Sequence, residues 1–278
     1  MISIIICSKK GDISDLLKSN IEDTIGIPYE LIVINNSTNK YSIFEAYNEG
    51  IKKSSFPFLC FMHEDIQYYT KDWGKSVIQH LPNPQTGLIG LAGSSYLIPM
   101  PAPWFYARPY ICNVSFQKDC PPIYPVAEEK EVVGVDGVWF CSRKDVFNDI
   151  SFDTDSFHNF HFYDLDISMQ IHEKGYHIHI IPNIHIVHES MGRQDSSWIQ
   201  SSYIFYHKWK KELAFANVSP ATKKEFLVET KAFKNILCLH KTNNYPVPKE
   251  LLKIGWKRLR LNILTAYALY LISRSIHR

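Results

Sequence analysis

Several features that would place a chain quickly are missing from this one. Charge of one sign is absent: 30 Lys and Arg oppose 28 Asp and Glu, a net of +2 that offers no basic surface for nucleic acid. The six cysteines contain no C-x-x-C pair, so neither a zinc ribbon nor a dithiol redox motif is present. Cys7, Cys60 and Cys141 sit inside apolar runs as small hydrophobes, and without a secretion signal a Cys112–Cys120 disulfide is disfavoured. Met1–Ser8 has no basic n-region and no cleavage site, and reads as a strand rather than a leader. No apolar run reaches the ~18–20 residues that span a bilayer. The expected location is cytoplasmic. Glycine is also sparse, 12 residues in 278, and only Gly11 follows the first apolar run. A nucleotidyltransferase would need a glycine-rich phosphate loop there, so that activity is the weaker alternative.

What the sequence does contain is an ordinary globular balance, 45% hydrophobic and 21% charged, at a length that fits one large domain with a tail. Ile2–Cys7, Tyr29–Ile34 and Phe56–Met62 are buried-type strands, separated by helical segments around Ile13–Ile25 and Ser42–Lys53. Strand, helix, strand, helix, strand within about 65 residues indicates a parallel sheet covered by helices, with ligands at the carboxyl ends of the strands. Those ends are polar: Ser8-Lys9-Lys10, Asn35-Asn36-Ser37 and His63-Glu64-Asp65. A helix over Asp72–His80 and a strand near Gly87–Ala92 follow. Between Ser95 and Pro125 lies an irregular insert with seven prolines and many aromatics, long enough to suggest function. Val132–Cys141 reads as a strand, Asp164–Lys174 as a helix, and Tyr176–Ile181 and Ile184–Val187 as strands around Pro182. Seven of the twelve histidines fall in residues 158–188, but His177-x-His179 lacks a third ligand at zinc spacing.

Five segments in order resemble the inverting family 2 glycosyltransferases of the GT-A fold, in the branch described as glycosyltransferase like. They are the opening strand into Cys7-Ser8 with Val33–Thr38, Ala46–Gly50, Phe61–Ile66, Val135–Arg143 with Phe160–Ser168, and His185–Ser190. The resemblance implies an α/β fold with a mainly parallel central sheet and helices on both faces. It implies transfer of a sugar from a nucleotide-diphosphate donor, UDP- or dTDP-linked, to a hydroxyl on a glycan or lipid-linked acceptor. Surface polysaccharide or glycoconjugate assembly is the implied setting. Ser8, Asn35, Asn48 and His63 fall at nucleotide-binding positions, with Asn35 standing where the family has an acid and His63 near the ribose. Asp65 and His188 fall at the positions of ligands to Mn²⁺ or Mg²⁺. Asp164 matches the catalytic base of the family's E-D-x-D-L helix start; Asp166, the second carboxylate of that catalytic segment, points away on the helix and suits capping or acceptor binding. A sugar hydroxyl needs such a base, and a helix N-terminus is expected to hold the carboxylate rigid and ionised. Because Asn35 and His63 depart from the pattern, a non-catalytic scaffold of a polysaccharide assembly complex stays open as an alternative.

Residues 1–215 are read as the catalytic domain and residues 216–278 as a basic helical extension. There Lys253, Trp256, Lys257, Arg258 and Arg260 lead into the apolar stretch Leu261–Ile272. Twelve helical residues extend only ~18 Å, so the segment cannot cross a bilayer but could lie on its inner face, or else pack on protein.

Overall fold

The computed structural model describes residues 1–107, 109–190, 192–213 and 223–259. In chain order the elements are β1 (Ile2–Ser8), α1 (Asp15–Ile25), β2 (Tyr29–Asn35), α2 (Ile43–Lys53), β3 (Phe58–Met62), β4 (Ile66–Tyr68), α3 (Trp73–His80), β5 (Thr86–Gly90) and β6 (Ala92–Ser94). Then come β7 (Ile111–Cys112), β8 (Val114–Ser115), β9 (Lys130–Val132), β10 (Gly134–Val135), β11 (Trp139–Arg143) and α4 (Tyr163–Glu173). The chain continues through β12 (His177–Ile180), β13 (Ile186–His188), α5 (Ser196–Trp209), α6 (Lys223–Thr242) and α7 (Lys249–Leu259).

The central sheet has seven strands in the order β2-β1-β3-β11-β5-β12-β9. Only β11 and β9 run against the others, so the sheet is mainly parallel, as expected. All of β1 except Cys7 is buried, which requires cover on both faces. Helix α1 packs with α3, while α2 and α4 meet through Phe44 and Tyr163. Ser14 caps α1 through its hydroxyl, and Ser42 with Glu45 forms a reciprocal capping box on α2, so both helices start where the sequence supplies an N-cap. Gly50 lets α2 sit close to β1: a Cβ there would come within 2.2 Å of Ile5.

The stretch expected as one strand from Val132 to Cys141 is broken into three. β9 pairs with β12, β10 joins a small sheet with β6 and β7, and β11 enters the main sheet. The corner between β10 and β11 is Asp136-Gly137-Val138, and it projects into the cleft described below. A second small sheet, β4-β13-β8, lies beside the end of β3. Cys112 and Cys120 are both free thiols.

The helices of the C-terminal extension pack on the insert. Ile98, Met100 and Ala102 of the proline-rich insert share a buried cluster with Ala232, Phe233, Ile236 and Leu237 of α6 and Leu251 and Ile254 of α7. Burying side chains of this size stabilises by about 1.5–3 kcal/mol each, so α6 and α7 are an integral part of the structure that fixes the insert. Tyr96 adds a 2.5 Å hydrogen bond to Glu229. Lys253, Trp256 and Lys257 are exposed on α7. Arg260 and Leu261–Ile272 lie outside the described residues. Among the described residues no helix is long and apolar enough to cross a membrane.

Candidate active site

The turn His63-Glu64-Asp65 links β3 to β4 and is held from three sides. The His63 amide donates to the Val138 carbonyl at 3.0 Å, and the Glu189 amide donates to the Asp65 carbonyl at 3.0 Å. Glu64 reaches back to the end of β1, accepting from Ser8 Oγ at 2.6 Å and the Lys9 amide at 3.1 Å. Antiparallel pairing of β4 with β13 then brings His188 opposite Ile66.

The result is a convergence of three side chains. His63, Asp65 and His188 each offer one ligand atom, and these atoms lie within 4.8 Å of one another. His188 Nε2 is 3.3 Å from Asp65 Oδ1 and 3.3 Å from His63 Nδ1. Burial works to raise the Asp65 pKa, but hydrogen bonds from His188 and Ser190 outweigh it and hold the carboxyl well below its usual range. Desolvation, then the neighbouring His188, pushes His63 toward its neutral form. Two imidazoles and a carboxylate form a mixed nitrogen and oxygen set suited to a divalent first-row cation such as Mn²⁺ and less so to Mg²⁺. The donor chemistry therefore fits a metal. His63 is one of the three converging groups.

The next wall of the cleft is the start of α4. Phe162, buried, enters the helix with φ of +67°, a left-handed conformation that is strained for a bulky side chain and turns the following residues toward Gly137. Asp164 Oδ2 accepts from the Gly137 amide at 2.9 Å, and Oδ1 accepts from the Leu165 amide at 2.9 Å. The Tyr163 hydroxyl donates to the Gly137 carbonyl at 3.0 Å and lies 2.8 Å from His63 Nε2. A single peptide corner thus wires Asp164 to the His63–Asp65–His188 group. A Cβ on Gly137 would lie 2.1 Å from the Tyr163 oxygen, so no larger residue fits without displacement.

The protonation of Asp164 differs from expectation. Desolvation, reinforced by the Asp136 carboxylate, overrides the two backbone donors and raises its pKa to about 7. A helix N-terminus alone would have kept it ionised at lower pH. Asp136 itself accepts from Trp104 Nε1 at 3.0 Å and the Val138 amide at 2.8 Å, tying the aromatic insert to this corner. Asp136, Glu64, Tyr163 and Trp104 were not singled out from the sequence. Nothing in local spacing marks them, because their partners lie tens of residues away.

The remaining expected residues separate into two groups. Ser8 and Asn35 do end β1 and β2 at this edge. Ser8 is buried, whereas Asn35 is exposed with its side-chain oxygen engaged on the Ser37 amide and hydroxyl at 3.1 and 2.8 Å. Asn48 and Asp166 are engaged by other elements. The Asn48 amide is committed to the Phe152 backbone in both directions, at 2.8 and 3.1 Å, and braces α2 against the loop before α4. Asp166 is fully buried and bound by Lys208 Nζ at 2.7 Å, Trp209 Nε1 at 2.8 Å and Gln170 Nε2 at 2.8 Å. It anchors α5 to α4. On the outer side of His188, Phe116 is 38% exposed with its ring 6.1 Å from the imidazole. The parallel pairing of β8 with β13 puts it there.

Comparison with known proteins agrees with this architecture. No curated relative matches the sequence. A solved structure of the mannosyltransferase PcManGT from Pyrobaculum calidifontis, in complex with GDP-Man and Mn²⁺, superposes with a TM-score of 0.50 at 12% identity. The match covers 99% of this chain and 86% of that one. GalNAc-T7 with UDP, GalNAc and Mn²⁺ gives 0.51 at 11% identity over 89% of this chain. This chain spans only 59% of the length of GalNAc-T7. At such identities the likeness speaks for the GT-A fold. The sequence profile of the glycosyltransferase like family matches residues 3–218, and on that extent the chain belongs to this family.

Proposed function

We propose that the protein is an inverting glycosyltransferase that moves one sugar from a nucleotide-diphosphate donor to a hydroxyl of a glycan or lipid-linked acceptor. The observation that carries this reading is the placement of a carboxyl with a pKa of about 7, Asp164, on the same peptide corner as the His63–Asp65–His188 group.

In this reading Asp65, His188 and His63 hold Mn²⁺, or less favourably Mg²⁺. When bound, the ion supplies charge that binds the donor diphosphate and stabilises the departing nucleoside diphosphate. Asp164, as carboxylate, accepts the acceptor hydroxyl proton while that oxygen attacks the anomeric carbon from the face opposite the leaving phosphate. The bond to the phosphate oxygen breaks as the new glycosidic bond forms, inverting the anomeric centre. A base whose pKa lies near the working pH is half available and strong enough to matter, whereas an ordinary aspartate would be a weak base. The desolvation that raises its pKa also keeps water from competing. Ser8 and Asn35 lie where the nucleoside would enter; the Asn35 amide NH₂ group is free to face a uracil or thymine edge. Phe116, open beside His188, offers a ring face to a sugar.

The setting we infer is polysaccharide or glycoconjugate assembly at the inner face of a membrane, where exposed Lys253, Trp256 and Lys257 of α7 would meet anionic lipid. Flotation with anionic liposomes, comparing the full chain with Lys253→Glu/Lys257→Glu, tests that placement; equal flotation of the two, or none, rejects it. The function itself is tested by incubating the purified chain with Mn²⁺ and a panel of UDP-, dTDP- and GDP-sugars and measuring nucleoside diphosphate release. Release with one donor, dependent on metal and abolished by chelator, is the expected result. Transfer with retained anomeric configuration, or full activity in chelator, contradicts the reading.

A further inference from the structure

Two residues from different parts of the candidate site touch each other: His63, on the turn after β3, and Tyr163, at the start of α4. They are 100 residues apart in sequence, and the Tyr163 oxygen lies 2.8 Å from His63 Nε2. We propose that Tyr163 is a positioning residue that fixes the His63 tautomer, leaving Nδ1 bare and aimed at the cation site shared with Asp65 and His188. The proposal rests on the metal reading given above.

The argument counts protons. A phenol has one hydrogen, and the Gly137 carbonyl at 3.0 Å can only accept. With that hydrogen directed at Gly137, the Tyr163 oxygen can only accept from His63, so Nε2 must carry the imidazole proton. A neutral imidazole then has its lone pair on Nδ1. That atom faces His188 Nε2 at 3.3 Å and Asp65 Oδ1 at 3.8 Å, the positions of the other two donor atoms. Tyr163 is itself immobile. It is buried at 5% exposure and packed edge-on against Phe44 and Tyr47, with Gly137 leaving no room on its far side. A rigid partner on the non-ligating nitrogen is what orients a metal-bound imidazole. A carboxylate at position 63 would need no such partner, since either oxygen can ligate without choosing a tautomer. The tyrosine and the histidine are therefore one device, and replacing one removes the purpose of the other.

The test is a double-mutant cycle read as Mn²⁺ binding by electron paramagnetic resonance in the presence of UDP, with melting temperatures in chelator to verify folding. Tyr163→Phe in the wild-type background should weaken Mn²⁺ binding by about 10–100-fold. In the His63→Asp background the same change should alter binding by no more than about twofold. Equal Mn²⁺ affinity of wild type and Tyr163→Phe overturns the proposal while leaving the cation site intact. Equal losses in both backgrounds also overturn it, because Tyr163 would then act through packing. No Mn²⁺ binding by wild type overturns the metal reading and this inference together. Long-range ¹H–¹⁵N spectra of the unmutated, metal-free protein give an independent check. A proton on His63 Nε2 is expected, and a proton on Nδ1 contradicts the proposal.

Discussion

Histidines and carboxylates meet at two places in this molecule, and only one has the form of a site. At the end of β3, two residues of a turn and one of strand β13 bring their atoms to a common point. At the far edge of the central sheet the same residue types stay apart. His177 Nδ1 is 2.7 Å from Glu131, while His80 and His179 approach the two oxygens of Glu129 at 2.5 and 3.2 Å. Alternation along β12 places His177 and His179 side by side on one face, with rings 6.2 Å apart and nearly parallel, so their lone pairs do not converge. Among the described residues only the His63 group brings three ligand atoms together. Composition counts histidines, but coordination needs them to arrive from different directions.

This contrast can be broken most severely at Asp65. Asp65→Ala should reduce Mn²⁺ affinity and sugar transfer by more than about 10²-fold, since losing a ligand exceeds the loss of an outer partner. His177→Gln/His179→Gln should leave both within about twofold, because surface changes away from the site have small effects. A comparable loss from the edge pair, measured by calorimetric Mn²⁺ titration, would erase the distinction. Gly137→Ala should come next, with a loss on the order of 10²-fold in transfer, as the added methyl must displace Tyr163 and with it the corner that holds Asp164. Circular dichroism should show the fold retained; normal turnover would mean that the corner does not position the base.

The third prediction separates structural from catalytic carboxylates on α4. Lys208→Met leaves the buried Asp166 without its main counter-charge and should destabilise the protein by about 3–5 kcal/mol in denaturant titrations. Turnover per folded molecule should change little, and a selective loss of turnover would return Asp166 to the catalytic group. The smallest effect expected is on stability through Asp164. Its folded-state pKa is raised, so ionisation penalises the folded state increasingly as pH rises from about 4 to about 7. Asp164→Asn should therefore raise the melting temperature at pH 8, and the gain should fade as pH falls toward 4. A gain that is the same at both pH values would argue against a raised pKa.

Much of this was legible in the chain. The buried strands β1, β2 and β3 and their intervening helices follow from apolar runs bounded by Ser14, Ser42 and the Asn35-Asn36 turn. The polar strand ends then located the edge of the site. The break at Asp136-Gly137 carries a local signal, an Asp-Gly pair inside the apolar stretch, but that signal does not say that the three pieces join different sheets. Helical spacing turns Asp164 and Asp166 in different directions, but it could not show what engages each of them. Their difference lies in Lys208 and Trp209, over 40 residues on, which claim one carboxylate and leave the other to Gly137. The packing of α6 and α7 on the insert at Ile98–Ala102 is equally long-range.

The central claim is that Asp164 removes the acceptor proton beside a metal-held donor. It is tested most directly by the pH dependence of kcat/KM for sugar transfer at saturating Mn²⁺, in wild type and in Asp164→Asn. The account predicts a wild-type rate that falls tenfold per pH unit below about 7, and a variant slower by about 10²-fold or more with that limb absent. A variant that keeps near-normal turnover and the same limb would contradict it.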